Sequence, residues 1–169
     1  MCSTAFEDGD LHGLAASELL DRTRALVAER NRIDAELART VRAAENRQAF
    51  EHDGTRSAQA WLRGHCRLSN AAASQVVRNG RALEQLPAVA AAHAAGALTA
   101  DQVAVIGRIT APRYLGLLAE QDANLAGIDD VLTGFATSRP HDELAKLVHT
   151  FLDRLDADGP DPTPPSNDS

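Results

Sequence analysis

The chain has 169 residues, 44% of them apolar, and a net charge of −7, a balance that suits one globular domain with a real core and excludes a disordered composition. Thirty-two alanines and 20 leucines against six aromatic residues favour closely packed helices over sheets, which draw on β-branched and aromatic side chains. Two cysteines, Cys2 and Cys66, cannot build a disulfide framework, the acidic segment 1–10 lacks the form of a signal peptide, and no apolar run is long enough to span a bilayer, so a soluble cytoplasmic protein with no membrane partner is expected.

Residues 1–11 read as a disordered N-terminus. From about residue 14 to 50 there is neither Gly nor Pro, and Leu19, Leu26, Ile33, Leu37, Val41 and Ala44 recur at spacings of three, four and seven. That pattern predicts one long amphipathic helix with these residues as its apolar face. At 1.5 Å per residue, some 30 residues run roughly 45 Å, more than a compact domain of this size needs for itself. Part of the helix is therefore expected to pack on something else, with self-pairing as a homo-oligomer one option. Its other face carries Arg22, Glu29, Arg32, Glu36, Arg39, Arg42 and Glu45, the mixed signs of a solvated surface.

His52, Asp53 and Gly54 interrupt this helix, and Thr55 or Ser57 can cap the next, which carries Trp61 and Leu62 and ends near Gly64. Ser69 caps a helix to about Leu83. Pro87, at a tolerated first-turn position, starts an alanine-rich helix that Gly96 closes. Thr99 and Gln102 have the form of a capping box ahead of Val103, Ile106 and Ile109. Pro112 opens a further helix, and residues 128–136 and 140–155 are the last two. About eight helices without an alternating strand make an all-α fold, with a helical domain over residues 12–156 and an acidic, Pro-rich tail at 157–169.

Residues 56–81 carry Arg56, Arg63, Arg67, Arg78 and Arg81 and no Asp or Glu, a local charge of +5 that leaves −12 for the rest. Such a chain can approach a polyanion through one segment and repel it elsewhere. Sixteen arginines against one lysine, beside so much alanine, also look like codon bias, and that part of the signal says nothing about ligands. Residues 61–83 read as a helix-turn-helix-like pair with Leu62, Cys66, Leu68, Ala73 and Val76 inward. The match is partial, because Arg63 and Arg67 stand where that motif usually has a small residue and a turn glycine. In the second helix Ala73, Val76, Val77, Gly80 and Leu83 form the apolar stripe. Arg63, Arg67, Asn70, Ser74, Arg78 and Arg81 are then the candidate contacts to double-stranded DNA, since Arg offers a fork of donors to phosphate or guanine and Asn can bond adenine bidentately. An ordinary solvated helix face remains the other reading. Trp61, beside Leu62, is expected to be an inter-helix anchor.

Nothing points to catalysis. His141 and His149 are eight residues apart, about 12 Å along one helix and too far to share a metal; His65 and Cys66 are neighbours that point apart. No CxxC, HExxH, phosphate loop or GxSxG occurs. Asp129 with Asp130, and Asp142 with Glu143, lie near helix starts, where carboxylates oppose the helix dipole. No catalytic residue, metal site or cofactor is expected.

The ordered landmarks Gly54-Thr-Arg-Ser-Ala-Gln-Ala-Trp61-Leu62, Leu68-Ser69, Val77-Arg78, Leu83, Leu86-Pro87, Gly96-Ala-Leu98-Thr99, Gln102-Val103 and Ile106, then Asp142-Glu143-Leu144 and Leu155-Asp156-Ala-Asp158-Gly159-Pro160, resemble the domain of unknown function 222 of the 13E12 repeat family over about residues 12–162. The resemblance implies an all-α module that in its family commonly precedes an HNH nuclease. The 169 residues contain no His-Asn-His constellation and no zinc-binding cysteine pairs, so nuclease chemistry does not carry over. What is expected is a non-catalytic helical module associated with DNA; a protein-interaction module or a remnant without activity of its own are the alternatives.

Overall fold

The computed structural model describes residues 11–157, an all-α arrangement with no strand among them. The expectations for the two termini fall almost wholly outside the described residues. After a 3-10 turn at Leu11–Gly13 come α1 (Ala16–Asn46), α2 (Ala49–His52), α3 (Ala58–His65), α4 (Asn70–Gln85), α5 (Pro87–Ala94), α6 (Ala100–Gly107), α7 (Pro112–Glu120), α8 (Leu125–Ser138) and α9 (His141–Ala157), with a second 3-10 turn at Arg108–Thr110 between α6 and α7.

Local chemistry sets most of these ends. The hydroxyls of Ser57 and Ser69 accept from the amides of Ala60 and Ala72 at 3.2 and 3.1 Å, and Thr99 with Gln102 forms the reciprocal box at 3.1 and 3.0 Å. Pro87 and Pro112 occupy first-turn positions. Gly54 and Gly96 close the helices before them at φ 75° and 86°, in the left-handed region where a side chain is strained. The long helix stops four residues earlier than its pattern predicts. Gln48 at φ 54° ends it and starts the single turn of α2, which turns Phe50 into the core.

α4 is the central strut, packed on α1 and α3 on one side and on α6 on the other. The first side encloses Val41, Phe50, Ala58, Leu62, Ala73 and Val77, with Trp61 tilted against Phe50 at a centroid distance of 5.5 Å. Trp61 also donates to Asp53 at 2.6 Å, so it ties the α2–α3 corner together as an anchor. The larger core lies between α5, α6, α7, α8 and α9 around Leu86, Leu98, Ile106, Ile109, Leu144, Val148 and Leu152. Cys66, expected to point inward, is exposed, because α3 ends at His65 and the chain has already turned outward there.

The face of α1 differs from its pattern. The residues it buries are Asn31, Ala35, Ala38 and Val41; Leu19, Leu26, Ile33 and Leu37, expected as the core face, are 38%, 43%, 60% and 36% exposed. The reason lies in the partner. A Cβ on Gly80 of α4 would sit 2.7 Å from the Ala38 carbonyl oxygen, so α1 and α4 meet backbone to backbone across small residues, and the large ones are left on the other side.

Candidate nucleic-acid interface

α3 and α4 meet through a four-residue turn, and Arg67 within it has φ 58°. This is the position where a helix-turn-helix usually carries glycine, and here an arginine takes the left-handed backbone that glycine favours. The strain of a side chain there costs about 1 kcal/mol or slightly more, offset by the Leu68 amide reaching back to the Leu62 carbonyl at 3.3 Å. Strained backbone of this kind concentrates at functional positions.

Six residues stand as candidate DNA contacts. Arg63, Arg67 and Arg78 are exposed and have no carboxylate partner among the described residues. Asn70 is exposed, and its side-chain oxygen accepts from Gln59 at 2.8 Å. Gln59 lies one turn before Arg63 on α3, so this bond joins the Arg63 side of α3 to the Asn70 side of α4. Ser74 is half-buried.

Arg81 is exposed like the other arginines of the six but is already paired with a carboxylate. Its guanidinium clasps Glu45 of α1, with Nε–Oε2 at 3.2 Å. Glu45 also receives Arg42 at 3.3 Å, and Arg42 reaches Glu84 at 2.8 Å while Asn46 donates to Glu84 at 3.0 Å. The Arg42 hydrogen bond, joined by that from Asn46, holds the Glu84 carboxyl below its ordinary range; Glu84, set against the desolvation of a partly covered group, pushes Arg42 further up. Two cations and two carboxylates thus make a neutral staple between α1 and α4. No local pattern reveals a partner 36 residues away.

Sequence also missed Arg108. A cavity of about 460 Å³ between α4, α6 and α7 is lined by Arg78, Arg81, Arg108, Thr110, Pro112 and Tyr114, and no carboxylate lines it. Gly107 is what closes this corner, since a Cβ there would stand 3.0 Å from the Ala82 Cβ of α4. The glycine was the only hint in the chain that Arg108 is carried to α4. The arginine surface therefore runs from the α3–α4 turn along α4 to the start of α7. It can neutralise phosphates, and its short polar groups can bond base edges.

No group of three or more His, Cys, Asp or Glu side chains that could hold a metal ion lies together among the described residues. His93 is fully buried and bonds the Leu98 carbonyl through Nδ1 at 2.8 Å, which pins the turn after α5. No described helix is long and apolar enough to cross a membrane.

The family described as "Domain of unknown function (DUF222)" matches residues 20–166. No curated protein and no solved structure matches the chain.

Proposed function

The chain belongs to the family of the domain of unknown function 222, and from that starting point we propose that its helical body is a non-catalytic module that docks on double-stranded DNA. The contacts are Arg63, Arg67 and Arg78, joined by Arg108, with Asn70 and Ser74 beside them and Arg81 held back by Glu45. One observation carries the reading: on a chain of net charge −7, these arginines are exposed and have no carboxylate partner among the described residues. Like charge repels the phosphate backbone from other faces and leaves this surface as the approach. Service as the targeting half beside an HNH nuclease, in the cytoplasm, would fit such a module.

Binding through roughly four phosphate contacts loses about 100-fold in affinity between about 50 and 200 mM salt. A gel shift of duplex DNA by micromolar protein at the lower salt, vanishing at the higher, is the expected result. The triple change of Arg63, Arg67 and Arg78 to Ala should remove it and leave the helical circular dichroism intact. Arg67→Gly is the sharper variant: it relieves the left-handed strain and should raise stability by about 0.5–1 kcal/mol while weakening binding. No shift at low salt, or a shift indifferent to all of these changes, ends the DNA reading.

A further inference from the structure

Six of the eight exposed large hydrophobic residues in the described chain sit on α1: Leu19, Leu20, Leu26, Val27, Ile33 and Leu37. Leu19, Leu26 and Ile33 follow each other at seven residues, Leu37 stands four beyond Ile33, and on a helix these four form one line. Among the described residues, none covers that line. Between Ala16 and Val27, moreover, α1 buries no residue at all; its support begins where Gly96 abuts Ala28. About 18 Å of helix therefore runs past the body. Contiguous apolar surface of this size on a soluble helix marks an interaction site.

We infer that this stripe is the contact surface for a second copy of the same chain, the two α1 helices pairing antiparallel about a two-fold axis near Ala28. In that register the core layers are Leu37 with Leu19 of the second copy, Thr23 with Ile33, and Arg30 with Leu26. Arg30 lays its aliphatic stem on the leucine while its head, 3.7 Å from Asp34 and 81% exposed, stays in water. The flanks complement each other: Arg22 meets Glu36 of the second copy twice, once on each side of the axis, beside the Arg39 that already pairs with Glu36 at 2.7 Å. Glu29 meets its own symmetry mate but keeps its pairing to Arg32 at 2.9 Å. A parallel pair would set Arg30 against Arg30 and Glu29 against Asp34, like charges in every case, and is disfavoured.

The antiparallel arrangement also gives each bare N-terminal half of α1 a support, the half of the second copy that carries the body. Leu20 is brought to the side where a cavity of about 360 Å³ opens between α1 and α4, with Val27, Leu37, Leu68 and Val76 in its wall. The pairing is independent of DNA contact, because the stripe and the arginine surface share no residue.

Sedimentation equilibrium of the full chain, from about 1 to roughly 200 µM, should show a reversible monomer–dimer equilibrium. Leu26→Glu with Ile33→Glu should weaken the dimer by more than about 30-fold and leave the monomer folded, since both side chains are exposed. Arg22→Glu or Glu36→Arg alone should weaken it, and the two together should restore it. In a parallel pair these residues lie about 21 Å apart along the axis, and no rescue occurs. A monomer throughout, or a dimer unmoved by the two glutamates, overturns the proposal; a dimer that breaks with them but is not rescued by the charge swap overturns the antiparallel register.

Discussion

Gly96→Ala should destabilise the protein by about 2–5 kcal/mol, the sum of a left-handed backbone forced on a residue with a side chain and an overpacked contact. Gly96 has φ 86°, and the added Cβ would stand 2.7 Å from the Ala28 carbonyl oxygen, a backbone atom in the middle of α1 that cannot swing aside. The same glycine's carbonyl accepts from the buried Asn31 amide at 2.9 Å, so moving the turn away would break that bond as well. The midpoint of urea unfolding is the measurement. Gly116→Ala is its control, as a Cβ there meets nothing within 4 Å and its backbone is ordinary helix; it should stabilise by about 0.5–1 kcal/mol. Equal behaviour of the two variants would remove the close approach of α5 to α1 from the account of what holds the long helix.

Asp129→Ala should cost about 2–4 kcal/mol. Asp129 is 1% exposed, and its carboxylate takes the amides of Ala88 and Val89 at 2.7 and 3.1 Å. α5 begins at Leu86 and Pro87, neither of which can cap it, so a carboxylate from α8, some 40 residues later, does so with both oxygens and faces the positive end of the helix dipole. Removing it leaves two covered donors without a partner. Asp129→Asn keeps one accepting oxygen but turns an NH2 toward an N–H, so it should fall between Ala and wild type. Asp130 is exposed, and its change to Ala should stay within about 0.5 kcal/mol. Thermal or urea unfolding of the three variants would show the order, and a harmless Asp129→Ala would sink it.

These two aspartates show where the legibility of the chain ended. Side by side near the start of a helix, they read alike as carboxylates opposing a dipole. One does oppose a dipole, but that of a different helix, and the other is solvated. The arginines behave the same way: periodicity put Arg78 and Arg81 on one side of α4, and only Glu45 of α1 separates a free guanidinium from a clasped one. Arg108 entered the candidate interface through the fold, because Gly107 lets α6 close on Ala82.

By itself the chain determined its all-α class, its family and nearly every helix boundary, since Ser57, Ser69, Thr99 with Gln102, Pro87, Pro112 and Gly96 act on backbone within a few residues and their effect survives any packing. It also determined that α1 has an apolar stripe. Tertiary structure alone decided which way that stripe points, because burial depends on what lies opposite. Gly80 and Gly96 bring backbone up to the small residues of α1, the closest approach wins, and the leucines are left facing outward. The same holds for each charge whose partner comes from a distant helix, as an ion pair is set by distance in space and leaves no period in the chain.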